Sequence, residues 1–123
     1  MGVVGLSMKY DLDDKSFDLI SNLISEGYDL KTIEEMLKLT TSSKYLKIIS
    51  KILLRTSYNI KDIKKILEYI NIDDLNKLIE SKIGLRVKDI IKWITSGFDI
   101  DDIIYFNKKN VNFIDALANK YLR

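Results

Sequence analysis

Apolar residues recur at three- and four-residue spacing along almost the whole chain. Leu19, Ile20, Leu23 and Ile24 form one such set, Ile48, Ile49, Ile52 and Leu53 a second, and Ile63, Ile66, Leu67 and Ile70 a third. This is the period of a helix with one face turned to a core. Strict alternation, the mark of a half-buried strand, hardly extends beyond four residues. The chain holds twenty isoleucines. Their intrinsic strand preference amounts to a few tenths of a kcal/mol per residue and is outweighed by the period of burial. The pattern predicts an all-α protein.

The punctuation between the apolar stretches is more specific. Six segments place an apolar residue before Asp or Asn, with Asp or Thr three residues later. They are Tyr10-Asp11-x-x-Asp14, Tyr28-Asp29-x-x-Thr32, Tyr58-Asn59-x-x-Asp62, Ile70-Asn71-x-x-Asp74, Phe98-Asp99-x-x-Asp102 and Val111-Asn112-x-x-Asp115. Asp or Asn at the N-cap accepts from the unpaired amides of the first turn, and an acid at N3 complements the positive end of the helix dipole. The apolar residue before the cap can pack on N4, which pairs Tyr28 with Ile33, Tyr58 with Ile63, Ile70 with Leu75 and Phe98 with Ile103. Gly27 and Gly97 stand where the preceding helices need a left-handed terminator.

These signals predict about eight short helices, near 12–26, 30–39, 43–56, 60–70, 72–83, 87–96, 100–109 and 113–122. Helix starts fall 12 to 15 residues apart after Tyr28, and alternate starts fall 26 to 30 apart. The expected fold is therefore an irregular αα-hairpin repeat stack or a compact orthogonal bundle. Residues 1–123 read as one helical domain, with 1–10 as a candidate flexible N-terminal arm. The run Tyr-Asn-Ile-Lys-Asp-Ile-Lys-Lys-Ile-Leu, residues 58–67, loosely resembles the repeat of mitochondrial transcription termination factors, which bind nucleic acid along a helical solenoid. That family's recurring proline is absent, and the shared residues are those any short capped helix needs, so no family is assigned.

Composition narrows the chemistry. The 123 residues include no Cys, His or Pro. Thiolate nucleophiles, disulfides, Cys-bearing zinc sites and imidazole bases are thereby excluded. No enzyme activity, metal or cofactor is expected. No apolar run approaches a membrane span, and the first residues lack the basic region of a signal peptide, so a cytoplasmic, soluble protein is the default expectation. Heavy use of Ile, Lys, Asn, Tyr and Phe matches AT-rich genomes, such as those of low-GC microbes and their viruses.

The net charge of +2 implies no partner, but its distribution is uneven. Residues 1–43 carry four basic and eight acidic side chains, and residues 66–123 carry nine of each. Between them, residues 44–65 hold Lys44, Lys47, Lys51, Arg55, Lys61, Lys64 and Lys65 against the single acid Asp62. Lys44, Lys47, Lys51 and Arg55 fall on one helical face, opposite Tyr45, Ile48, Ile49, Ile52 and Leu53. Such a stripe can track phosphates or meet an acidic partner, and equally it can solvate a helix.

Other candidates are weaker. Residues 29–56 have the outline of a helix-turn-helix, but Glu34 and Glu35 occupy the place of its small residue and no glycine marks its turn. Leu85-Arg86-x-x-Asp89-Ile90 repeats the helix-start pattern with a cation at the cap, which makes Arg86 either a further basic contact or an exposed side chain pairing with Asp89. The pairs Asp13-Asp14, Asp73-Asp74 and Asp101-Asp102 fall in first helical turns, where the dipole attracts carboxylates without any metal. Trp93, Tyr105 and Phe106 are either buried between helices or exposed as an aromatic patch for a partner.

The reading that follows is a non-catalytic helical protein–protein interaction module, such as a small adaptor, an immunity protein or a virus-encoded inhibitor of a host factor. Its expected partner surface is the aromatic group Trp93, Tyr105 and Phe106. The alternative is a nucleic-acid-binding protein using the basic 44–65 face, with Arg86 as an added contact.

Overall fold

The computed structural model describes residues 2–122. Among these the chain forms nine α-helices and no strand: α1 (Val3–Tyr10), α2 (Asp14–Ser25), α3 (Leu30–Leu39), α4 (Ser43–Arg55), α5 (Ile60–Ile66), α6 (Ile72–Glu80), α7 (Val87–Thr95), α8 (Ile100–Lys108) and α9 (Phe113–Tyr121). The protein is all-α. Eight of the nine helices fall where the apolar period and the caps place them. The ninth, α1, occupies the segment expected as a flexible arm, and it is held by Leu6, which is fully buried.

The caps form as the sequence implies. The Asp29 carboxylate accepts from the Thr32 amide, Asn71 from Asp74, Asp99 from Asp102 and Asn112 from Asp115, each at 2.8 Å. Asn59 and Asp62 cap α5 reciprocally: the Asn59 Oδ1 accepts from the Asp62 amide at 2.9 Å, and the Asp62 carboxylate from the Asn59 amide at 3.0 Å. The first copy is displaced by two residues. Asp13, not Asp11, caps α2 by accepting from Ser16 at 2.8 Å. Asp11 instead takes a left-handed conformation (φ 52°) and terminates α1.

That displacement exposes the rule behind the connections. After α2, the Gly27 N–H donates to the Ile24 carbonyl at 3.0 Å and the Tyr28 N–H to the Leu23 carbonyl at 3.1 Å, a Schellman motif around Gly27 (φ 103°). Gly97 does the same after α7, with Phe98 bonding to Trp93. Asp11 and Asn110 substitute for glycine after α1 and α8, being residue types that tolerate this region. In all four joints the apolar residue after the terminator (Leu12, Tyr28, Phe98, Val111) immediately precedes the next N-cap. One residue thus closes one helix and introduces the next. The helix predicted over 60–70, observed as α5, stops early, at Ile66, because the Glu68 and Tyr69 amides bond three residues back and the backbone tightens before the Asn71 cap.

Two compact units result, one ending at Lys64 and the other beginning at Lys65. In the first, α2 packs on α4, and α1 and α3 complete the group. Ile20, Leu23, Ile33, Met36, Leu46, Ile49 and Ile52 form its core. The Tyr28 hydroxyl donates to the Leu53 carbonyl at 2.8 Å, fastening the end of α2 to α4. In the second unit, α8 packs on α6 and α7 over Leu75, Leu78, Ile90, Trp93, Phe98 and Ile103.

Candidate functional site

The aromatic group expected at a partner surface is divided by the fold. Trp93 is 3% exposed and lies in the core of the second unit. Its ring centroid is 4.9 Å from Phe98, 5.2 Å from Phe113 and 6.2 Å from Phe106. Phe106 is half-buried, and only Tyr105, at 58% exposure, faces outward. Lysine stems close the rim: the Lys92 ammonium sits 4.6 Å from the Phe113 ring centre and that of Lys120 5.3 Å from Phe98. The cluster forms because α7 ends at the Gly97 turn, which returns Phe98 onto Trp93, while α8 and α9 deliver Phe106 and Phe113.

The exposed apolar surface of this unit lies elsewhere, on α9. Ile114, Ala118, Tyr121 and Leu122 follow helical i, i+4, i+7, i+8 spacing and are exposed, the three large side chains at 77%, 65% and 82%. The Tyr121 hydroxyl donates to the Ser96 carbonyl at 3.2 Å, fixing the end of α9 against the turn that follows α7. Sequence pattern alone misses this stripe because α9 is apolar on more than one side. Phe113, Ala116 and Leu117 also follow helical spacing, and it is these that turn inward.

On α4 the basic stripe is formed as expected. Lys44, Lys47 and Arg55 are exposed, while Lys51 is half-buried. The Lys44 ammonium lies 5.2 Å from the Tyr45 ring centre. The rest of the 44–65 set lies on α5. Lys64 is paired with Glu35 at 2.5 Å, a contact that holds the Glu35 carboxyl below the usual carboxylate range. Lys61 and Lys65 are exposed on α5. Arg86 makes no cap and its guanidinium reaches Asp89 at 3.5 Å, the exposed pairing the sequence allows. Helices α3 and α4 with their short turn keep the helix-turn-helix outline, and α4 packs on both α2 and α3.

A groove of about 610 Å³ runs between α2 and α4. Lys15, Asp18, Leu19 and Asn22 line it from α2, and Ser43, Lys44 and Lys47 from α4. The α2 residues carry no distinguishing motif, and only the pairing of α2 with α4 brings them beside the basic stripe. Among the described residues no cluster of acidic side chains is placed to hold a metal, and no helix is long and apolar enough to cross a membrane. Asp101, from one of the three acidic pairs, is bound to Lys77 at 2.5 Å. The chain matches no family model, no curated protein sequence and no solved structure.

Proposed function

We propose that this chain is a non-catalytic helical module whose work is to bind another protein. The observation that supports this is the outward stripe of α9, where Ile114, Tyr121 and Leu122 present large apolar side chains to solvent in helical register. Burying such a side chain is worth about 1.5–3 kcal/mol, so leaving three exposed on one face forgoes a driving force that a partner can recover. The geometry suits helix-in-groove recognition, in which an apolar helix face enters a hydrophobic groove of the partner. A small adaptor, an immunity protein or a virus-encoded inhibitor of a host factor fits this reading.

Nucleic-acid binding is the second reading, favoured by the exposed Lys44, Lys47 and Arg55 on one face of α4. Two features weigh against it. Lys64 is already neutralised by Glu35, and the exposed Asp11, Asp13, Asp14 and Asp18 of the same unit oppose a continuous phosphate chain more than carboxylates that can be spaced between them. Affinity purification from the native host, with and without nuclease, tests the choice. Co-purification of a protein that survives nuclease supports the module; recovery of nucleic acid alone refutes it.

A further inference from the structure

The groove between α2 and α4 gathers three lysines around a single lining carboxylate. Lys44 and Lys47 form no ion pair among the described residues, and Lys15 makes no direct one although its charge acts on Asp13, whereas Lys9 and Lys64 of the same unit are held at 2.6 and 2.5 Å by Glu34 and Glu35. The single carboxylate in the groove, Asp18, is likewise unpaired. Three ammonium groups and one carboxylate around a concave surface focus a positive potential there. Leu19 contributes apolar lining, and the volume of about 610 Å³ is well beyond what a single small anion fills.

From this charge and shape we infer that the α2/α4 groove docks an acidic segment of a partner protein, with Asp or Glu side chains on Lys15, Lys44 and Lys47 and an aliphatic residue against Leu19. Nucleic acid fits less well. Arginine, which grips phosphate bidentately, does not line the groove, and Asp18 opposes a continuous phosphate chain where discrete carboxylates can be spaced around it. The inference rests on the protein-binding reading but on residues other than those of α9, so the two fail independently.

Fluorescence polarisation with a labelled peptide of repeating Glu-Glu-Leu-Asp, alongside an oligothymidylate of matching charge, tests it at low salt. The variant Lys15→Gln/Lys44→Gln/Lys47→Gln should bind the peptide about tenfold more weakly, since exposed ion pairs each contribute a fraction of the energy that a factor of ten requires. Lys31→Gln/Lys88→Gln/Lys108→Gln, of equal net charge and exposed elsewhere, should bind like the parent, and Asp18→Asn should bind about two- to threefold more tightly. The α9 variant Ile114→Asp/Leu122→Asp should retain the peptide in full. Equal weakening by both lysine triples, or loss of the peptide on the α9 variant, overturns the groove assignment. Tighter binding of oligothymidylate than of peptide, abolished by the groove triple, overturns the choice of an acidic protein.

Discussion

Trp93 gives the sharpest check on how the fold assigns its aromatic residues. In a partner-facing patch its removal would spare the fold; in the core of the second unit it cannot. Trp93 is 3% exposed and meets three phenylalanine rings with centroids between 4.9 and 6.2 Å away. Truncating a buried tryptophan costs about 3–5 kcal/mol, and favourable ring pairs at about 0.5–1.5 kcal/mol each place Trp93→Ala toward the upper end. At this chain length that loss lowers the midpoint of thermal unfolding by about 10–20 °C. Trp93→Phe keeps an aromatic ring in the cluster and should cost about 1–2 kcal/mol. Urea and thermal titrations followed by circular dichroism read both variants. Because the chain has one tryptophan, the parent offers an independent optical test: its emission should be blue-shifted and shielded from iodide. A red-shifted, freely quenched emission, together with Trp93→Ala melting like the parent, would refute the assignment.

The helix caps predict a graded response: Asn71→Ala and Asn112→Ala should each lose about 0.5–2 kcal/mol, and Arg86→Asn, which supplies a missing cap to α7, should gain a fraction of that in the same urea titration. Stability should also fall in acid. Hydrogen bonds from the Ser16 and Thr32 amides hold the Asp13 and Asp29 carboxyls below their ordinary range, and Lys9 and Lys64 do the same for Glu34 and Glu35. Carboxyls depressed in the folded state stabilise it fully above the unfolded carboxyl pKa, and that contribution is lost as pH falls through the folded value, so the melting temperature should drop below about pH 5. Asp13→Asn/Asp29→Asn keeps the capping oxygen but removes two titrations, and should flatten the drop; an unchanged pH profile would show that these caps carry no charge dependence.

Most of the fold is legible in the sequence because start signals, stop signals and burial period agree at each joint. The exception at α1 is instructive. Tyr10-Asp11-x-x-Asp14 has the acid at N3 but Lys15 at N4, whereas Leu12-Asp13-x-x-Ser16 lacks the acid but has the apolar Phe17 at N4. The structure chooses the second because Asp11 is needed as the left-handed terminator of a helix whose short, weakly patterned sequence reads as an arm. The surfaces are less legible. Helical spacing places Trp93 beside an apolar stripe of Ile90, Ile91 and Ile94, but only the docking of Phe98, Phe106 and Phe113 closes its surroundings. On α9, apolar residues on more than one side leave the inward face undetermined until Ala116 is buried and Ile114 is left outside. The groove needs α2 and α4 to pair across the intervening α3, a tertiary choice that no local pattern encodes.

The central claim, that the chain binds another protein through α9, is tested most directly by comparing two baits in nuclease-treated extract of the native host. One bait is the parent and the other is Ile114→Asp/Leu122→Asp, whose substituted side chains are so exposed that its melting curve should match the parent's. Placing a carboxylate in an apolar interface leaves it desolvated and unpaired, so any partner held by the stripe should be lost from the second bait. A protein should be retained in stoichiometric amount by the parent and be absent from the variant. The same protein retained equally by both, at equal stability, would contradict it.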